Sequence, residues 1–294
     1  MGISFTIERL ALRLPRLAHL ALWSAVQIEM RLRRKPHWLF QHLATRFDYR
    51  APVIARLGNG MRIQVPLIDV AGRAICQDGW YEPDTVRILS TLLRPGMTFL
   101  DIGAAFGQYT LLAAGAVGNT GKVHAFEPDP VSFDWLSGNV RRNRLDNVTA
   151  AQIALGDAAG SLDLYIGSPD NLGTTSLRRQ YNYSGRTARV DVMPLDRYLE
   201  RVGLDRVDVI KIDVEGAESL VFRGAEKLLA TRPAMIIEFE EGNQVRFGSS
   251  CAELARMLVE KGYKLESILE GERMPYEAAH SAAHYSLNVV ATRA

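Results

Sequence analysis

Hydrophobic and polar positions change rhythm along this chain, and each rhythm predicts an element. From Ile3 to Arg34 the spacing is helical: Ile3, Ile7, Leu10, Leu14 and Leu17 recur every three or four residues, Arg9, Arg13 and Arg16 form a second stripe, and Pro15 kinks or splits the helix. VIARL and MRIQV alternate as strands do. Gly58-Asn59-Gly60 between them accepts the positive φ angles of a tight turn, so the pair reads as a β-hairpin. Pro83–Leu93 is helical, opened by its proline and stopped by Pro95-Gly96. Strands and helices then alternate: MTFLDIG, the helix Gln108–Val117, KVHAFE, the helix Val131–Asn143 and VTAAQIAL. Later come VDVIKID, the helix Ala217–Ala230, AMIIEFE, the helix Cys251–Lys261, and two closing strands, Tyr263–Leu269 and Ser286–Thr292. Ser161–Ile166 and Arg189–Met193 are extra strands on either side of the polar loop Gly167–Gly185. Apolar strands alternating with helices predict a doubly wound α/β sheet covered on both faces. That domain spans residues 51–294, behind a helical extension at 1–50.

Composition changes the picture in few places. With 294 residues, 47% hydrophobic and 23% charged, the chain has ample material for a core and is unlike disordered, collagenous or coiled-coil sequences. Two cysteines, Cys76 and Cys251, are too few for a disulfide framework or a cysteine zinc site, and a reducing, cytoplasmic setting is expected. A net charge of +2 gives no sign of a nucleic-acid partner. The charge is uneven, however: residues 1–50 hold nine Lys/Arg against three acids, +6, which leaves −4 for the remainder. No run reaches about 18 uncharged apolar residues, so no membrane span is expected. Arg13 and Arg16 also interrupt the stretch that a secretory signal would need. Two readings of the extension stay open. It packs on the domain or on a second copy of the chain, or it lies peripherally on an anionic membrane, with Trp23, Trp38 and Arg31–Lys35 at the headgroups.

The strongest chemical signal is TFLDIGAAFGQYT. Asp101 ends an apolar strand, Gly103 and Gly107 flank a tight turn, and a helix opens beyond. In an open α/β sheet, ligands lie over such a turn, outside the carboxyl ends of the strands. A dinucleotide fingerprint starting at Gly103 would need glycines where Ala105 and Gln108 stand, which weighs against a nicotinamide oxidoreductase. Glu127, after KVHAF, is placed to accept hydrogen bonds from ribose hydroxyls, and Asp157, after LALG, is placed beside adenine.

Taken together, YEPDTVRILSTLLRPG, FLDIGAAFGQYT, FEPDP, ALGD, NLGTTSL and VDVIKIDVEGAE stand in an order that resembles the FkbM family of S-adenosylmethionine-dependent methyltransferases, over about Gly79 to Phe239. The resemblance implies a Rossmann-like class I methyltransferase sheet of seven strands with the last antiparallel. It also implies S-adenosylmethionine as donor and an oxygen nucleophile as the usual acceptor. Tyr81 and Glu82 would border the amino-acid end of the cofactor, while Asp101, Gly103, Ala104, Phe106, Gly107 and Tyr109 would cradle it. Glu127 and Pro128 would hold the ribose, Asp157 would lie near adenine, and Asp213 would be within reach of the ammonium.

Methyl transfer from a sulfonium needs an aligned acceptor and, for an alcohol, a proton acceptor. KIDVEGAE offers Lys211, Asp213 and Glu215 on one side of an extended strand, with Asp213 foremost. Glu215 alternatively serves the next helix's N-terminus, and Glu218 is read as a solvated helix residue. Glu238, in IIEFEE, is a second base candidate. Asp213, Glu215 and Glu238 together offer oxygen ligands of the kind Mg²⁺ takes, but their spacing matches no dedicated metal motif, and no metal is expected. Among the histidines, His124 reads as a strand residue and His280 and His284 as surface groups. In the polar loop, Asn171, Thr174, Ser176 and Tyr181 suit a polyhydroxylated acceptor, and Arg178, Arg179 and Arg186 an anionic one, so a small-molecule, glycan or lipid-linked acceptor is expected. A non-catalytic module of the same fold is the competing reading.

Overall fold

In the computed structural model, residues 52–284 and 286–294 are described. The extension expected at 1–50 lies outside them. The chain divides into two compact units, one reaching to Tyr81 and taking in Pro169–Asn171, the other formed by Glu82–Ser168 and Leu172–Ala294.

In the first unit the predicted hairpin forms: β1 (Pro52–Arg56) pairs antiparallel with β2 (Arg62–Pro66), and Arg56 stands opposite Arg62. Alternation places Val53, Ala55, Ile63 and Val65 in the interior. A helix that the sequence reading lacked, α1 (Val70–Asp78), follows. Its start is fixed by Asp69, whose carboxylate accepts from Gly72 N at 2.9 Å. Gly72 and Ile75 are its buried residues.

The second unit opens with α2 (Pro83–Leu92) and then winds β3 (Thr98–Ile102), α3 (Gln108–Val117), β4 (Lys122–Phe126), α4 (Pro130–Asn143) and β5 (Val148–Ala151). A small sheet interrupts: β6 (Ala154–Leu155), β7 (Gly160–Gly167) and β8 (Tyr183–Met193), in the order β6-β8-β7. The main fold resumes with α5 (Leu195–Val202), β9 (Val209–Ile212), α6 (Glu218–Arg223), α7 (Glu226–Thr231), β10 (Ala234–Phe239), α8 (Glu241–Arg246), α9 (Cys251–Glu260), β11 (Tyr263–Leu269), β12 (Glu272–Pro275), α10 (Ala278–Ala283) and β13 (Leu287–Arg293).

The main sheet runs β12-β11-β13-β10-β9-β3-β4-β5. β3, β4, β5, β9 and β10 are parallel, and β13 is antiparallel to both β10 and β11. The seven-stranded sheet with its last strand antiparallel is therefore present, and β12 adds an eighth strand at the edge of β11. All five residues of β3 are buried, as a central strand covered on both faces requires. Leu100, Ile102, Phe126, Ile210, Ile212, Ile237 and Phe239 share one core.

Two predicted elements are corrected. VTAAQIAL is not one strand: after Ala151 the chain leaves the main sheet, and Ala154-Leu155 pair instead with Val192-Met193 of β8. Ala217–Ala230 is not one helix but α6 and α7, because the Asp196 carboxylate reaches in to accept from Lys227 N and Leu228 N and starts a second helix there. Neither partner is near in sequence.

Candidate active site

Parallel strands deliver their carboxyl ends to one edge of the sheet, so the residues after β3, β4 and β9 meet there. Backbone builds the first half of the site. Gly103 N and Ala104 N both donate to Phe126 O at 3.0 Å, and Asp213 N donates to Ile102 O at 2.9 Å. Gly103 has φ +82°, and a Cβ on it would lie 1.8 Å from Asp213 O, so only glycine lets the two turns touch. Gly107, at φ 89°, starts α3. Ala105 has φ 47° and donates its N–H to Glu127 Oε2 at 2.8 Å; Asp129 N donates to Glu127 Oε1 at 2.9 Å. Glu127 thus holds the turn from β4 and keeps a lone pair on each oxygen, while burial pushes its pKa up to about 8. Phe106 and Ala104 are buried, with Phe106 5.4 Å from the Trp135 ring.

Asp101 is buried, and burial is the main cause of a pKa near 6. One of its oxygens accepts from Thr110 Oγ1, but Oδ1 has no partner among the described residues. Leaving a buried acceptor without a donor is costly. A glycine cradle, an unpartnered carboxylate oxygen and a second buried acid on the next strand fit a polar ligand that carries donors and positive charge.

Side chains build the second half. Lys211 is 1% exposed; its Nζ donates to Asp213 Oδ2 at 3.1 Å and lies 5.4 Å from the centroid of the Tyr109 ring. Burial opposes the lysine charge, but Asp213, Glu82 and Glu238 outweigh it and raise the pKa to about 12. Lys211, placed among the catalytic candidates by sequence, thus stands buried against Asp213 and beside the Tyr109 ring. Tyr109 OH donates to Glu82 Oε2 at 2.7 Å, and Asn288 Nδ2 donates to the same oxygen at 3.2 Å. Ser286 Oγ donates to Glu238 Oε1 at 2.6 Å.

Asp213, Glu215 and Glu238 offer oxygens that all lie within 4.8 Å of one another; among the described residues this is the group that could hold a metal ion. The pKa values of Glu215 and Glu238 are raised well above the usual carboxylate range, by burial first and then by Asp213. The strand stops at Ile212, so Glu215 arrives by a turn, with φ 54°. It is held by Asn243 Nδ2 at 2.7 Å on its carboxylate, and by Ser176 Oγ at 3.0 Å on its carbonyl. Glu218, expected to be solvated, is corrected: it is 1% exposed, accepts from Val214 N at 3.1 Å and from Gln244 Nε2 at 2.6 Å, and has its pKa pushed to about 7 mainly by burial. Asn243 and Gln244 come from α8, a helix the sequence reading lacked; its one signal, two amides behind the acids of IIEFEE, was easy to pass over.

Other candidates stand apart. Asp157 is half exposed and pairs with Arg223 at 3.3 Å in the small-sheet region. Because β5 ends at Ala151, the residue after the third strand is Gln152, and the reason for placing Asp157 beside adenine is removed. Thr174 and Ser176 are buried: Thr174 Oγ1 accepts from Asn182 Nδ2 at 2.6 Å, and Ser176 tethers the loop to Glu215. Arg178 lies over the Phe247 ring at 5.9 Å. Tyr81 and Asn171 belong to the first unit. Pro128 lies between Glu127 and Asp129, the donor on Glu127 Oε1. His124 is a buried strand residue bonded to Tyr198 OH at 2.9 Å. A cavity of about 420 Å³ opens at the opposite ends of the strands, beside Met97, Asp208 and Ala234. Two of its three arginines are already bound, Arg206 to Asp208 and Arg293 to the carbonyls of Thr231 and Arg232.

A doubly wound sheet with this glycine turn and this acid-rich crevice defines a class I methyltransferase fold. The family model "Methyltransferase FkbM domain" matches residues 101–265, more than half of the chain, and the chain belongs to that family. It is similar to methyltransferase sdnD of Sordaria araneosa, 30% identical over an alignment of 156 positions that covers 44% of this chain and 60% of sdnD. The chain thus spans about three-fifths of that relative's length. It is also similar to the hexuronic acid methyltransferase AglP of Haloferax volcanii, 24% identical over 194 residues, 66% of this chain and 76% of AglP. Among solved structures, methyltransferase FkbM from Methylobacillus flagellatus aligns with a TM-score of 0.46 and 18% identity, covering 71% of this chain and 47% of that one. Among the described residues no helix is long and apolar enough to cross a membrane.

Proposed function

We propose that this chain transfers a methyl group from S-adenosylmethionine to a hydroxyl oxygen of a sugar, glycan, lipid-linked or natural-product acceptor. The observation that carries the reading is the meeting, at one edge of the sheet, of the Gly103–Gly107 cradle with the carboxylates Asp213, Glu215 and Glu238. When bound, S-adenosylmethionine supplies a methyl group already activated on a sulfonium. Asp101, Gly103 and Glu127 hold and orient. The Asp213, Glu215 and Glu238 group accepts the hydroxyl proton as the O–C bond forms and the C–S bond breaks, with its electron pair staying on sulfur. Burial and the neighbouring Asp213 raise the proton affinity of Glu215 and Glu238, which makes either one, when ionised, a better base. Lys211 offsets the charge of the cluster before and after transfer.

A sugar acceptor, acidic ones included, is supported by the loop tethered to Glu215. Tyr181 is 70% exposed there, and Arg178 and Arg179 lie over the Phe247 and Tyr183 rings. The name of AglP, a hexuronic acid methyltransferase, agrees with that chemistry. A place at the inner face of a membrane, or pairing with a second copy, follows only from the extension at 1–50 and is proposed on that footing.

Calorimetric titration with S-adenosylmethionine, S-adenosylhomocysteine and NAD⁺, with and without Mg²⁺, tests the cofactor reading. Micromolar affinity for the first two and none for NAD⁺ is expected. Binding of NAD⁺ alone would overturn it. Incubation with methyl-labelled cofactor and uronate-bearing or neutral oligosaccharides then tests the acceptor class.

A further inference from the structure

We propose that Asn288 binds the α-ammonium of the cofactor's amino-acid end through its side-chain carbonyl oxygen. This rests on the S-adenosylmethionine reading above and adds a binding residue from the antiparallel strand. Asn288 interrupts an otherwise apolar β13, where Leu287, Val289, Val290 and Ala291 are all buried. A polar residue at such a position is tolerated when its groups are bonded. One group is: Nδ2 donates to Glu82 Oε2 at 3.2 Å, which fixes the orientation of the amide. The other is not: Oδ1 is buried and has no partner among the described residues, in a residue only 9% exposed. An acceptor held in place by its own amide, and lacking a donor among the described residues, points to a donor on a ligand.

The charge around it selects the kind of donor. Asn288 stands directly across from Glu238 in the β10–β13 pairing, so the two share a face of the sheet. Glu82, Asp213 and Glu238 all act on Lys211, and Lys211 is the cation they share. Its Nζ donates to Asp213 and to Ile212 O, not to Asn288. A neutral hydroxyl would fill the empty valence of Oδ1 and leave three carboxylates facing one lysine. An ammonium would fill it and bring the second positive charge. Glu82 is placed for this by strain: it caps α2 with φ 50°, a conformation unfavourable for a non-glycine residue.

The test needs no acceptor. Wild type, Asn288→Ala and Asn288→Thr are titrated calorimetrically with S-adenosylhomocysteine and with 5′-deoxy-5′-methylthioadenosine, which has the nucleoside and sulfur but no amino-acid end. Both variants should bind S-adenosylhomocysteine about ten-fold or more weakly, the range for a bond to a charged group, and methylthioadenosine within two-fold of wild type. Unchanged S-adenosylhomocysteine affinity would overturn the assignment, and so would equal losses for both ligands, which would mean that Asn288 acts through the fold. Failure of wild type to bind either ligand would overturn the cofactor reading itself. Thermal melts accompany the titrations; the β-branched threonine suits the strand and carries the test if the alanine variant does not fold.

Discussion

The turns after β3 and after β9 leave adjacent strands at the same level, Ile102 beside Ile212, yet they are built on opposite plans. The turn at Gly103–Gly107 is made of backbone: positive φ angles, N–H groups gathered on Phe126 O and Glu127, and a glycine pressed against Asp213 O. The turn at Asp213–Glu218 also has positive φ angles, at Glu215 and Gly216, but side chains recruited from afar hold it: Lys211 beside it, Ser176 from the loop, and Asn243 and Gln244 from α8. The first is a rigid socket whose shape is set by sterics. The second is a cluster of acids whose behaviour depends on charge and on partners brought from elsewhere in the chain.

The sharpest way to break the pairing is at their contact. Gly103→Ala places a methyl group 1.8 Å from Asp213 O in a left-handed conformation, so both turns must move. Loss of folded protein, or at least a hundred-fold loss of S-adenosylhomocysteine affinity, is the expected result by melting and calorimetry. Gly160→Ala is the control: nothing lies within 4 Å of its added Cβ, and its melting temperature should stay within about a degree or two of wild type. Equal behaviour of the two variants would contradict the packed contact.

Next in size is the effect of pH, which separates the regions by their acids. Burial raises Asp101 to about 6, Glu218 to about 7 and Glu127 to about 8. The folded chain therefore binds more protons than the unfolded chain between the usual carboxylate range and these values, and stability falls as pH rises through them. The ligand-free melting temperature should drop by roughly 5 °C or more between pH 5.5 and 8.5. Glu127→Gln should flatten the upper part of that fall and Glu218→Gln the middle. A melting temperature that rose over this window would remove the claim of buried, ionising acids.

The contrast also explains what could be read from the chain. Asp101, Gly103, Gly107 and Glu127 were legible because backbone turns impose residue types at short spacing, and the buried strands were legible because burial on both faces imposes apolar runs. Asp213, Glu215 and Glu238 were legible as acids at strand ends. Their partners were not. Nothing near Glu215 announces that Asn243 will bridge it to Glu240, and Asn288 becomes visible as a site residue only when β13 is seen beside β10. The reading of VTAAQIAL as one strand failed for the same reason, since its second half obeys β8, more than thirty residues on.

A third variant probes the acid cluster directly. Lys211→Met removes the buried cation and leaves Asp213, Glu82 and Glu238 facing one another. Breaking a buried pair in this way costs about 3 kcal/mol, or roughly 6–12 °C in melting temperature at pH 7.5. The deficit should shrink at pH 5.5, where Glu238, its proton affinity raised by burial, gives up its charge. A deficit independent of pH would assign Lys211 a packing role and not an electrostatic one.

The smallest effect separates positioning from charge within the same turn. Asn243 Nδ2 donates to Glu215 at 2.7 Å and to Glu240 at 2.5 Å, while Arg246 donates to Asn243 Oδ1 at 2.6 Å and fixes which end of the amide faces the acids. Asn243→Ala removes these bonds from a site 2% exposed, at a cost of about 1–2 kcal/mol or a few degrees of melting temperature. Asn243→Asp keeps the size and puts a third carboxylate beside two. Its loss should exceed that of alanine at pH 8 and fall below it at pH 5.5, where a protonated acid can donate again. If the two variants track each other across pH, Asn243 only fills space; if they cross, the second turn is held by a hydrogen bond whose worth depends on proton occupancy.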